Sequence, residues 1–306
     1  MAKTIWLFYA RDAYTTARHM DAALRKAGHK VLSFGPNNQY ATDTTVSIPD
    51  LMKKFSPPDM MLNMDGCAVM NLLGIETFPG PKGIYVIDTH LNDNRIHTLY
   101  GYDRLFVCHR ATVLKWADTK PGWIHWIPPA ADPEVHREIP NVPTAYDVAF
   151  VGGVDLSEVH HKRRDYLEAL VKDNVRLYAG RTTGLFMSFI YSKSLTVFNC
   201  SIKEEINMRM MEALAVKRVL LTNKILPEQG FTELGFKDGE NCLVYDSVEG
   251  LRECVKLALT NKKKREAIAA AGYELFTKRH TYDHRITEML NAMEGVVDKK
   301  PDAVKA

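Results

Sequence analysis

An α/β protein of two doubly wound domains facing a cleft is the fold class that the 306-residue sequence predicts. Three observations carry this. Short apolar, β-branched runs alternate with helical patterns from Thr4 onward, and the alternation restarts at Tyr146. A proline-rich stretch, WIPPAADPEVH at residues 126–136, separates the two series and fits neither helix nor strand. The length suits two cores of about 130 to 150 residues, a size at which roughly two thirds of the chain's surface is buried.

The first half opens as a βαβ unit. Thr4 to Ala10 is a strand, Thr15 to Ala27 a helix closed by Gly28, and Lys30 to Gly35 a second strand. Its first turn lacks a GxGxxG fingerprint, which argues against a dinucleotide oxidoreductase. Met60 to Asp65, Gly83 to Asp88 and Arg104 to Cys108 read as further strands of a parallel sheet with helices on both faces. The polar triplet Asp88-Thr89-His90 stands at a strand end, where it could orient or deprotonate a substrate hydroxyl. Asp88 and Thr89 equally fit a helix cap, and His90 an ordinary loop residue. Asp132, after the prolines, reads as a turn residue fixing a hinge. The domain limits follow as 1–135, 136–278 and a closing segment 279–306. In that last segment Ile286, Met289, Leu290 and Met293 have the spacing of a helix that returns to the first domain or closes the second core.

The second half starts with Tyr146 to Val151, ending in Gly152-Gly153, then the basic helix HHKRRDYLEAL and a strand at Val175 to Tyr178 followed by Gly180-Arg181. Glycines at a strand end let the backbone approach a phosphate, and Arg181 or Lys193 beside strand ends can bind a pyrophosphate. Lys162 and Arg164 read instead as a solvated helix face, with Leu167 and Leu170 turned inward. Leu195 to Asn199 is a buried strand, Cys200 to Glu205 a loop, and Ile206 onward a helix carrying Asn207, Arg209 and Glu212. A loop between the carboxyl end of a strand and the amino end of a helix is where ligands bind in open α/β sheets. Glu204 and Glu212, eight residues apart, could touch two parts of one extended ligand, a carboxylate being able to accept from both hydroxyls of a vicinal diol. The same letters fit helix-surface pairs, Glu205 with Arg209 and Arg209 with Glu212, worth about 0.2 to 0.5 kcal/mol each. Val219 to Thr222 and Cys242 to Tyr245 complete the sheet, and a long helical segment follows Val248, its KKKR run at 262–265 solvated.

Composition narrows the class. A formal charge of +3 is too small to announce nucleic-acid binding. Five cysteines, at 67, 108, 200, 242 and 254, show no CxxC spacing, so neither a zinc site nor a disulfide framework is expected. No apolar run approaches the roughly 20 residues that span a bilayer, and MAKTIWLFYA reads as a strand rather than a signal peptide, so the expected location is the cytoplasm.

The Glu204–Glu212 element resembles the E-x7-E element of GT-B glycosyltransferases, and its NMRxxEALA form with RVLLTN after it resembles the spore-maturation (CgeB-like) branch. YVIDTHLND at 85–93, YDRLFVCHR at 102–110, WIPPAADPEVH, GENCLVYDSVEGL at 239–251 and HTYDHR at 280–285 are similar to segments of that family in the same order, covering roughly residues 85 to 290. In place of the family's EGFG at the first acid stands Glu204-Glu205-Ile206-Asn207, which leaves open which acid takes the first role. The resemblance implies two Rossmann-like domains (GT-B) and a glycosyltransferase. Its nucleotide-sugar donor, a UDP-sugar foremost, would lie on the second domain, bound by Gly152, Gly153, Arg181, Lys193, Asn199, Glu205, Asn207, Arg209 and Glu212. Asp88, His90 and Glu204 would be the catalytic residues. It also implies retention of configuration, no metal and no further cofactor, and an acceptor held by the first domain. A glycan, a protein, a metabolite or a modified phage-type DNA base would serve as acceptor, with Arg11, Arg18, Lys53 and Lys54 as a basic rim for DNA. A noncatalytic sugar-nucleotide binding protein or a sugar-nucleotide epimerase is the alternative of the same fold.

Overall fold

The computed structural model describes residues 1–12, 15–64, 70–89, 96, 99, 101–155 and 157–295. The chain divides into two compact units, one formed by Met1–Pro128 with the helix that begins at Tyr282, the other by Pro129–Thr281.

The first unit contains the strands β1 (Thr4–Phe8), β2 (Lys30–Phe34), β3 (Thr45–Ser47), β4 (Met60–Met64), β5 (Asn71–Leu73), β6 (Lys82–Val86), β7 (Arg104–Val107) and β8 (Ile124–Trp126). Its helices are α1 (Thr16–Lys26), α2 (Ile48–Lys54), α3 (Arg110–Trp116) and α9 (Tyr282–Met293). Among the described residues the main sheet runs β2-β1-β4-β6-β7-β8 with every pair parallel, and β3 pairs with β5 apart from it. Trp6, Phe8, Ile84 and Val107 are fully buried, as strands covered on both faces require. One expectation is corrected here: Trp126 of the proline-rich segment belongs to β8, which pairs with β7 through Leu105 and Ile124. Three residues of strand carry too little periodicity to be read against the prolines that follow. Helix α9 packs on α1, with the His19 and Tyr282 rings stacked at 5.2 Å. The buried Arg285 donates from Nε to the Pro128 carbonyl at 2.8 Å. Gly83 leaves room for α9, since a Cβ there would stand 2.8 Å from Met293 Sδ.

The second unit contains β9 (Tyr146–Val151), α4 (His161–Lys172), β10 (Leu177–Gly180), α5 (Gly184–Ser192), β11 (Ser194–Asn199), α6 (Met208–Ala215), β12 (Val219–Asn223), β13 (Leu243–Tyr245), α7 (Val248–Thr260) and α8 (Lys262–Arg279). Its sheet is parallel, in the order β10-β9-β11-β12-β13. Phe150, Phe198, Leu221 and Tyr245 lie in its core. Three details differ from expectation. Strand β10 lies two residues later than its pattern suggested, so Gly180 is its last residue. The helix α6 begins at Met208 rather than Ile206, which makes Glu212 its fifth residue. The segment after Val248 is two helices, parted at Asn261, whose side chain accepts from Lys264 N at 2.9 Å and caps the second.

Candidate functional site

The order of the second sheet reverses between β9 and β11, so a crevice opens at their carboxyl ends, the usual ligand position in a doubly wound sheet. Gly152 and Gly153 follow β9, and Asn199 ends β11. The side chain that joins them is Arg209, from the first turn of α6. Its Nε donates to the Val151 carbonyl at 2.9 Å, its Nη1 to Asn199 Oδ1 at 2.8 Å, and its guanidinium lies 4.6 Å from the Phe150 ring centre. Asn199 is fully buried and spends its amide on Arg209 and, at 3.0 Å, on Thr222 Oγ1. It therefore positions Arg209. Gly152 is required here because a Cβ would overlap the Arg209 guanidinium and stand 2.7 Å from Phe150.

A second guanidinium supports the same edge. Arg163, 6% exposed, donates from Nη1 to the Gly153 carbonyl at 2.7 Å and from Nη2 to the Cys200 carbonyl at 2.8 Å. Burial, then the charge of Arg209, pushes its pKa down to about 10. Arg163 stands in sequence between solvated neighbours, but its offset of four and seven residues from Leu167 and Leu170 places it on their buried face. Beyond it, Asp155 accepts from the Ser157 hydroxyl, from His160 Nδ1 at 2.8 Å and from Ser157 N at 3.1 Å, bonds that hold its carboxyl well below the usual range, and Arg181 Nη2 also donates to it at 3.1 Å. The Arg181 guanidinium and the His160 ring both close on Gly153, where a Cβ would be 2.9 Å from each. Gly152, Gly153, Arg181 and Arg209 are thus brought together at one strand edge, and His160 joins them.

The acids separate into different surroundings. Glu205 is buried and accepts from Lys203 N within its own loop at 2.7 Å, so it shapes the loop. Glu204 has a left-handed φ of 53°, which turns its side chain outward, 43% exposed and 3.7 Å from Lys162 Nζ. It lines a cavity of about 510 Å³ whose walls include Tyr166, Lys224, Leu226 and Asp246. Asn207 precedes α6 without capping it, and its side-chain oxygen is buried with no hydrogen-bond partner. Glu212 is 13% exposed, and burial lifts its carboxyl to about 7 against the opposing pull of Arg209. The His136 ring lies beside it, Nε2 to Oε1 4.0 Å.

Lys193 precedes β11 and so stands at the amino end of the sheet, about 17 Å of strand away from the crevice at a rise of about 3.3 Å per residue. Its Nζ rests 5.3 Å from the Phe189 ring centre and 6.0 Å from that of Tyr146, so it is not brought together with Arg181 and Arg209. In the first unit Asp88, with a φ of 55°, is exposed just beyond β6. The buried Thr89 after it contacts His109 Nδ1 at 3.1 Å and Thr112 Oγ1 at 2.8 Å. His90 lies outside the described residues. Among the described residues no group of three His, Cys, Asp or Glu side chains is arranged to hold a metal, and no helix is long and apolar enough to cross a membrane.

Residues 146–291, nearly half of the chain, match the family model of glycosyl transferase-like proteins. No curated protein matches by sequence. Solved structures that are similar include a glycosyltransferase from Rickettsia africae ESF-5, with a TM-score of 0.68 over 97% of this chain and 99% of that one at 10% identity. Anabaena Alr3699/HepE in complex with UDP-glucose has a TM-score of 0.65 over 95% of this chain and all of that one, again at 10% identity. A DNA-modifying β-glucosyltransferase, solved with and without uridine diphosphoglucose, has a TM-score of 0.59 over 95% and 99% at 12% identity. The chain has the fold of the GT-B glycosyltransferases.

Proposed function

We propose that the protein is a metal-independent, retaining glycosyltransferase of the spore-maturation-like branch that takes a UDP-sugar as donor. The observation that carries this reading is the meeting of Arg209, Arg181 and the Gly152-Gly153 edge at the switch point of the second sheet, with Glu212 three residues beyond Arg209 on α6. The ribose diol would bind Glu212, and the diphosphate would lie against Arg209, Arg181 and the amides at the start of α6. The transferred sugar would face Glu204. Breaking the bond between the anomeric carbon and the diphosphate oxygen leaves negative charge on the diphosphate, and preorganised guanidiniums and amides lower that barrier in place of a metal ion. With retention, the acceptor oxygen enters from the face the diphosphate leaves, and its proton passes to the departing oxygen.

The acceptor is assigned to the first unit, where Asp88 would orient its hydroxyl. DNA is one acceptor class to test, supported by the DNA-modifying neighbour; binding to it should weaken steeply with salt. Cytoplasmic localisation belongs to the same reading. The experiment is incubation with UDP-sugars and candidate acceptors in the presence of EDTA, with the product anomer read by proton NMR. A product of the donor's anomeric configuration supports the proposal. An inverted product, or activity abolished by EDTA and restored by a divalent cation, refutes the corresponding part, and UDP-sugar binding without turnover on any acceptor favours a noncatalytic binding protein.

A further inference from the structure

Residues 132–136 form a tight turn beside α6. The Asp132 carbonyl accepts from the amides of Val135 and His136 at 3.1 and 2.6 Å, and Asp132 Oδ1 accepts from Glu134 N at 2.9 Å. The Asp132 amide donates in turn to His136 Nδ1 at 2.9 Å. An imidazole nitrogen that accepts from an amide carries no proton, so the ring holds its proton on Nε2. The ring is 3% exposed and that nitrogen faces Glu212 Oε1 at 4.0 Å, beyond hydrogen-bond length yet closable by a small side-chain rotation. Arg209 from the same helix and Tyr191 from α5 also face this carboxylate.

We propose that His136 is a positioning residue for the donor site: its Nε2–H, aimed by the Asp132 amide, turns the Glu212 carboxylate toward a vicinal diol and favours its ionised form. The inference rests on the reading of Glu212 as the diol-binding group. A carboxylate has about four acceptor positions, so it can take both hydroxyls of a diol and still accept from the imidazole. Without that donor a largely buried carboxylate beside Tyr191 would hold its proton more tightly, and a protonated carboxyl is a poorer acceptor for the diol.

The variant His136→Asn tests this with least disturbance, because its side-chain oxygen can still accept from the Asp132 amide while no group reaches the position of Nε2. His136→Gln, whose amide nitrogen reaches further, is the conservative rescue. The first readout is the titration of the Glu212 carboxyl by carbon-13 NMR in the ligand-free protein, and the second is UDP affinity by calorimetry between pH 6 and 8.5. We expect the Glu212 midpoint to rise in H136N, UDP affinity at pH 7 to fall about tenfold, the deficit to shrink as pH rises, and H136Q to recover most of it. An unchanged midpoint in folded H136N, or a deficit equal at every pH, would overturn the proposal. Should wild-type protein bind no UDP, the donor-site reading fails by itself, and the titration still decides whether His136 governs Glu212.

Discussion

Replacing Glu212 by Gln should strengthen the fold at neutral pH while weakening the donor site. The carboxyl moves from an ordinary 4.5 to about 7 on folding, with burial the main cause and Arg209 opposing it. That difference of about 2.5 pH units corresponds to about 3 kcal/mol, an upper bound for a side chain still in partial contact with water. The folded state binds this proton more tightly than the unfolded state, so stability from this group is intact below about pH 4.5, falls as the pH rises to about 7, and is level above that. A neutral amide escapes the fall. In E212Q the second unit should therefore unfold about 1 to 3 kcal/mol later than wild type at pH 8 and equally at pH 4.5, a rise of several degrees in Tm for a unit of about 150 residues. Thermal and urea unfolding from pH 4.5 to 8 reads this directly. The same variant should bind UDP ten- to a hundredfold more weakly, through loss of a charged acceptor worth about 1.5 to 3 kcal/mol. An E212Q protein that keeps the wild-type pH dependence, or is less stable at pH 8, would refute the argument from burial.

Further outcomes follow from the strand edge and the helix that returns to the first unit. Gly152→Ala should cost about 1 to 3 kcal/mol by overlap with Arg209, and adding Arg209→Ala should recover part of that cost, a non-additivity that a double-mutant cycle by urea unfolding detects. Arg209→Lys, which cannot reproduce the paired bonds to Val151 and Asn199, should weaken UDP binding about tenfold or more in calorimetry. Lys193→Ala should leave UDP affinity within error, because the side chain stands at the amino end of β11. Gly83→Ala should lower the Tm through its contact with Met293, without changing UDP affinity.

The strands were readable where a buried parallel run is bounded by polar residues and glycine: Tyr146–Val151 matches its pattern at both ends. The helix α5 was not, since GLFMSFIYS is apolar on every face and merges with the strand after it. The position of Arg181 and Arg209 followed from a simple rule, that groups after a parallel strand gather at its carboxyl edge. The same rule applied to Lys193, which precedes its strand, would have placed it at the far end. The distinction between Glu204 and Glu205 rests on one left-handed residue that no pattern announces. The approach of His136 to Glu212 joins residues 76 positions apart, and the tilt of Glu212 toward a raised pKa is set by packing, not by its neighbours in sequence.

Whether the carboxyl edge of the second sheet binds a uridine diphosphate sugar is decided by a calorimetric titration of UDP and UDP-sugars in EDTA against wild type, E212Q and R209K. Saturable binding to wild type that both substitutions weaken is expected, together with stabilisation of about 2.7 kcal/mol when the ligand is at a hundred times its Kd. Absence of binding by any uridine nucleotide to folded protein, or an affinity that neither substitution changes, would contradict it.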